Sequence, residues 1–257
     1  MRRAPSLALV AIVLCATLSL GFTLLRVNNN PCSDSQHLFW RDRRAVVDTS
    51  HLMPSQFATY GSEAIDRWNA AISSFHFDRG SGAFCDPNDG ITSMGFAATV
   101  CDGKSFGDAV NVTFFRFNPN NGEMLDADVT FDASDPSLGN RALFTQIAMH
   151  ELGHVLGLGH SDACGASGAG TLMKTVTFLN DPQLDSPQAD DVAGALTIYP
   201  GGDGTVPEGA NSCHIDGSGK RRAPWELFLL PLLLLAVRLV SSARAGDATG
   251  ARVVERT

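Results

Sequence analysis

Apolar residues recur through the middle of the chain at two spacings, one helical and one extended. Downstream of Pro54, the residues Ala64, Ile65, Trp68, Ile72 and Phe75 step by three and four, the stripe of an amphipathic helix with Trp68 in its core face. The same period returns from Arg141 to about Leu156, with Phe144, Ala148, Leu152 and Val155 on one side and His150 and His154 on another. A core face and a separate chemical face are expected for that helix. Ser186-Pro187-Gln188-Ala189-Asp190 reads as the capped start of a third helix, running through Val192, Leu196 and Ile198 to Tyr199-Pro200. Ala45 to Asp48 is a short strand candidate. Val110 to Phe117 and Met124 to Phe131 are rich in β-formers and flank Asn120-Asn121-Gly122, which predicts two strands joined as a hairpin.

The two ends follow a different pattern. After Arg2 and Arg3, an apolar run from Ala4 to Leu25 stops at Arg26 and three asparagines, so residues 1–27 read as a secretory signal or an uncleaved signal anchor. Residues 28–200 form one mixed domain without a visible repeat, and 201–224 is a linker rich in Gly, Ser and Asp. A second apolar block occupies 225–240. As a helix it reaches about 24 Å against the roughly 30 Å of a bilayer core. Arg238, Arg244, Arg252 and Arg256 lie in or after it, and the polar tail is 241–257. A C-terminal anchor or sorting segment is the favoured reading, with an amphipathic or buried helix as the alternative. Either way, the acidic middle is expected outside the cytoplasm, secreted or at the cell surface.

Composition narrows the classes further. The chain has 257 residues, 44% hydrophobic and 18% charged, which excludes disorder and collagen. Residues 28–220 carry 10 basic and 24 acidic side chains, so no nucleic acid partner is expected. Export makes disulfides available to Cys32, Cys85, Cys101, Cys164 and Cys213. Cys85 and Cys101 flank a short loop and are expected to pair; the other partners stay open. Asn111-Val112-Thr113 is a glycosylation sequon in a eukaryotic host.

The chemistry is concentrated in HELGHVLGLGH, residues 150–160. Two histidines four apart on a helix lie about 40° apart around its axis, so the imidazoles of His150 and His154 can reach one ion. His160 is too far along the same helix to join them unless the chain turns, and Gly157 supplies a residue free to take positive φ. The rival third ligand for such a helix is a downstream Glu, yet none occurs between Glu151 and Glu208. Three neutral imidazoles suit one catalytic Zn²⁺ and leave a fourth position for water. Glu151, beside the first ligand but not itself a ligand, is placed to take a proton from that water and pass it to a leaving amine. The reaction expected is hydrolysis of a peptide bond. The alternative from another class is a non-catalytic surface adhesion or binding module with structural zinc, where an unligated Glu151 would have no use. An intramembrane metalloprotease is disfavoured because the helix is short and polar at its flanks.

HELGHVLGLGH followed by Thr171-Leu172-Met173 resembles the metzincin zinc endopeptidases, and within them the matrixins. Ser161 after the third His, the stretch Ala127-Asp128-Val129-Thr130-Phe131, and Asp190-Asp191-Val192 through Leu196-Thr197-Ile198-Tyr199 extend the similarity over roughly Phe39 to Pro200. The resemblance implies an α+β, zincin-like fold: a twisted five-stranded mixed sheet, three helices and a horizontal active-site cleft. It makes Met173 the Met-turn residue beneath the zinc and makes Ala127 to Phe131 the edge strand to which an extended protein or peptide substrate adds antiparallel. Thr175 stands where astacins and serralysins have Tyr, so a fifth tyrosine ligand is not expected. No cysteine-switch propeptide is expected, and Cys32 is the residue that would have to serve as a crude switch. The family's structural-zinc pattern is not found; His37, His51, His76 and His214 read as surface or core histidines. The clusters at Asp86 to Asp89 and Asn118 to Glu123 make calcium conceivable, but turns favour those residues and no calcium site is assigned. The side-chain pocket behind His150 is expected to be walled by Lys174 to Asn180.

Overall fold

The computed structural model describes residues 21–166, 168, 170–175 and 184–201, and the backbone of 252–256. The first twenty residues and the apolar block at 225–240, where export and anchoring are expected, lie outside that set. Among the described residues no helix is long and apolar enough to cross a membrane.

In chain order the elements are β1 (Thr23–Leu24), β2 (Arg44–His51), α1 (Ser55–Ala71), β3 (His76–Arg79), β4 (Ile91–Ala97), β5 (Asn111–Phe117), β6 (Met124–Asp132), α2 (Arg141–Leu156), β7 (Leu158–Gly159), α3 (Ala189–Ile198) and β8 (Arg252–Arg256). The main sheet runs β3-β2-β4-β6-β5-β8. Strands β3, β2, β4 and β6 are mutually parallel, and β5 returns antiparallel to β6. The expected five-stranded mixed sheet with three helices is therefore present, and β8 adds a sixth strand antiparallel to β5.

One expectation fails here. Ala127 to Phe131 lies within β6, and β6 is paired on both sides: Val129 faces Met94 of β4 and Thr113 of β5. With its main-chain groups used by both neighbours, that strand cannot accept another peptide. The strand on the outer side of the hairpin is β5.

Helix α1 buries Phe57, Gly61, Ala64, Ile65 and Trp68 along one stripe. It ends at Ala71, earlier than its apolar spacing suggests, because Ile72 is already extended at φ −134°. Phe75 stays in the core regardless, its ring 4.7 Å from that of Tyr199. The rings of Phe57, Phe96 and Phe131 surround Phe144 of α2 at 5.0, 5.6 and 4.9 Å, fixing the helices against the sheet. Trp68 adds a buried hydrogen bond from its indole N–H to the Met149 carbonyl, 2.8 Å. Side chains of this size contribute roughly 1.5–3 kcal/mol each when fully buried. Helix α2 differs from expectation: every residue from Leu143 to Leu156 is buried, so its chemical face is enclosed by protein.

The folded body also begins earlier than residue 28. Leu24 and Leu25 are in the core, β1 pairs antiparallel with β7, and the Gly21 N–H donates to Asp190 Oδ1 at 2.9 Å. The end of the apolar run thus belongs to the fold.

Candidate active site

Helix α2 is closed at both ends by local chemistry. The Asn140 side chain accepts the Leu143 N–H at 3.1 Å, capping its start. At its end Gly157 takes φ 117°, and a Cβ there would lie 2.8 Å from the Leu38 carbonyl oxygen. Glycine is required by conformation and by space. The chain then reverses through β7, braced by Leu25 N–H to Gly157 O at 2.9 Å and by the Thr23 hydroxyl to His160 O at 2.8 Å.

This turn brings His160 to the two helical histidines, as its spacing predicts. Ring centroids are 4.7 Å apart for His150 and His154, 4.8 Å for His154 and His160, and 5.4 Å for His150 and His160. One nitrogen from each lies within 4.8 Å of the others. The Nδ1 atoms of His150 and His154 donate to the carbonyls of Leu172 and Leu158, both at 2.8 Å, which leaves each Nε2 with a lone pair. Both of these Nε2 atoms are buried without a hydrogen-bond partner. Unmatched buried acceptors are rare and costly, and a divalent cation would satisfy them. Burial, reinforced by the neighbouring His160, pushes His150 down to about 3. Burial likewise holds His154 and His160 below the usual imidazole range. All three rings are neutral, the form that ligates metal, so the residues present fit zinc.

Glu151 is fully buried. Its carboxylate oxygens accept from the Asn111 amide and the Thr113 hydroxyl, and its Oε1 is 4.0 Å from His150 Nε2. It stands beside the histidine cluster without belonging to it. Asn111 and Thr113 are two apart on β5 and so share the face turned to α2. Sequence reasoning missed both; the signal was two alternating polar positions at the start of a largely apolar strand. Burial also closes the sequon, because the folded protein does not expose the Asn111 amide to a glycosylating enzyme.

Met173 is buried, and its sulfur packs against Gly153 of α2. A Cβ on Gly153, between the two helical histidines, would crowd the Met173 sulfur, so the missing side chain there lets Met173 pack close. The turn carrying Met173 is tied to α3 by Asp191, which accepts N–H groups from Gln188, Leu172 and Met173 at 2.8, 3.0 and 3.2 Å. Burial still pushes Asp191 up to about 6.

Cys85 and Cys101 are disulfide-bonded, as expected from their loop. Cys32 is bonded to Cys164, 132 residues away, and cannot reach the metal as a switch. No described cysteine is free. His51 and His76 lie 3.3 and 3.7 Å from Asp48 and Asp78, and His37 packs edge-on against Phe39. Of the expected pocket wall only Lys174 and Thr175 are described, and His214 is outside the described residues. A cavity of about 410 Å³ lies on the α1–α2 side of Met149, rimmed by Glu63, Arg67, Arg141 and Asp185.

With this geometry in hand, the chain can be set beside known proteins. The family profile of the matrixins matches residues 42–200. A relative, Metalloendoproteinase 4-MMP of Arabidopsis thaliana, is 27% identical over 154 residues, which is 59% of this chain and 42% of that protein. The chain thus spans less than half the length of that relative. Among solved structures, the GM1-bound form of the ECX AB5 holotoxin aligns with a TM-score of 0.41 and 13% identity, over 66% of this chain and 86% of that one.

Proposed function

The chain belongs to the matrixin family of zinc peptidases, and from that premise we propose that it is a zinc-dependent endopeptidase acting on extracellular proteins. The observation that carries the reading is the convergence of three neutral imidazoles within 4.8 Å beside a buried carboxylate that is not one of them.

The Nε2 atoms of His150, His154 and His160 would hold the zinc ion, which supplies Lewis acidity toward a scissile carbonyl and toward water. Glu151 receives the proton of the attacking water and delivers it to the departing amine nitrogen. Asn111 and Thr113 keep the Glu151 carboxylate turned toward the histidines through those two proton positions. Met173 and the Leu172 carbonyl support His150 from below. Substrate is received in extended form along β5, whose outer main-chain groups add a strand antiparallel. That assignment replaces the interior strand from Ala127 to Phe131. Two disulfides support a location outside the cytoplasm, where such bonds persist.

The test is hydrolysis of a mixed peptide library by the purified chain, with and without a chelator, beside Glu151→Ala and His154→Ala. Wild type is expected to cleave only with metal present, Glu151→Ala to keep zinc and lose cleavage, and His154→Ala to lose both. Equal peptide release by wild type and Glu151→Ala would instead favour a structural zinc module.

A further inference from the structure

The edge that would receive substrate is already paired in this structure. Arg252–Arg256 lies antiparallel along β5, with Arg256 opposite Val112, Glu255 opposite Thr113, Val254 opposite Phe114 and Arg252 opposite Arg116. Thr113 is the residue whose hydroxyl reaches Glu151, so the paired segment passes at the level of the general base. We propose that residues 252–256 are an intramolecular occupant of the substrate edge and hold the enzyme in a self-blocked form. The blocking half of this proposal rests on the endopeptidase reading; the strand pairing does not.

The competition is for shared main-chain groups. Each outward N–H and C=O of β5 can serve one neighbouring strand, so β8 and an extended substrate exclude one another. The sequence Arg-Val-Val-Glu-Arg suits the role, because adjacent β-branched residues favour a strand. Fifty residues separate 201 from 252, and their extended reach, on the order of 165 Å, exceeds what return to β5 requires. An occupant in the same chain competes at an effective concentration on the order of millimolar.

The experiment compares the full chain with one ending at Gly250 and with a Val253→Pro/Val254→Pro double variant, which removes whichever of these two adjacent N–H groups faces β5 and disfavours continued pairing. Amide hydrogen exchange over residues 111–117 reads occupancy without reference to activity, and KM for an extended peptide reads blocking. Both variants are expected to lose protection in β5 and to show a KM lower by about 2- to 10-fold, consistent with a weak tethered competitor. A synthetic peptide of residues 251–257 added to the shortened chain is expected to restore protection and inhibit competitively. Unchanged exchange in β5 overturns the proposal, and so does lost protection with unchanged KM. Lost protection in chains that cleave no peptide at all refutes the endopeptidase reading while the strand occupancy stands.

Discussion

Replacing Gly157 with Ala tests the geometry on which the histidine cluster depends. The backbone there is at φ 117° and ψ 5°, a left-handed conformation that costs a residue with a Cβ about 1–2 kcal/mol. The new methyl would sit 2.8 Å from the Leu38 carbonyl oxygen and 3.0 Å from Ile198 Cδ1. The carbonyl cannot retreat freely, because the Leu38 amide is bonded to Leu25 O at 2.9 Å, at the end of β1. Relieving overpacking of this kind costs about 1–3 kcal/mol more. The sum, about 2–5 kcal/mol, corresponds to a Tm lower by about 5–15 °C for a domain of this size. His160 lies three residues on, so its ring shifts with the turn and zinc affinity falls by about 10- to 100-fold. Gly103 provides the control: φ is 81° and nothing lies within 4 Å of the position a methyl would take, so Gly103→Ala should lose only the conformational 1–2 kcal/mol or so and bind zinc normally. Thermal unfolding of the two variants and zinc competition against a chromophoric chelator decide the matter. If Gly157→Ala melts no lower than Gly103→Ala and binds zinc as wild type does, the turn does not position His160.

Two further outcomes follow from the surroundings of the centre. Thr113→Val keeps the shape of the side chain and removes one donor to Glu151, so kcat is expected to fall by about 10- to 100-fold, the equivalent of a hydrogen bond to a charged group; zinc content should be unchanged and Thr113→Ser should recover most of the rate, and a Thr113→Val enzyme at full kcat would remove Thr113 from the machinery. The second concerns pH. Burial and the adjacent Asp128 push Asp126 up to about 7, and burial pushes Asp128 and Asp191 up to about 6. Carboxyls whose pKa is raised by folding contribute stability in full below the ordinary carboxylate range and lose it as pH climbs through 6 to 7. The buried neutral histidines act in the opposite sense, losing stability as pH falls below the usual imidazole range, so the carboxyl contribution is read by difference: Asp126→Asn is expected to raise Tm over wild type at pH 8 and to change it little at pH 5. An Asp126→Asn chain that gains no more over wild type at pH 8 than at pH 5 contradicts the assignment.

Legibility of the molecule in its sequence follows the range of the interactions. His150, His154 and Gly157 are readable because a helix repeats locally and a glycine ends it locally; His160 follows from them. The Cys85–Cys101 bond closes a short loop and is readable for the same reason. The Cys32–Cys164 bond joins residues 132 apart, and no local pattern announces it. Strands β3 and β4 escape because His76–Arg79 is short and because β4 buries Thr92 and Ser93, polar residues that hide an interior strand. The hairpin of β5 and β6 is evident, but which of its two strands lies outermost is decided by β4, a partner well upstream in the chain. Asn111 and Thr113 gain a role only when the fold carries Glu151 to them.

The burial of Asn111 reaches beyond the cleft to the making of the protein. In a host that transfers oligosaccharide to nascent chains, Asn111-Val112-Thr113 would be offered while still unfolded, and a sugar attached then could not be fitted between β5 and α2 afterwards. Maturation in such a cell becomes a race between the transferase and closure of the sheet, whereas a host without that machinery imposes no such contest.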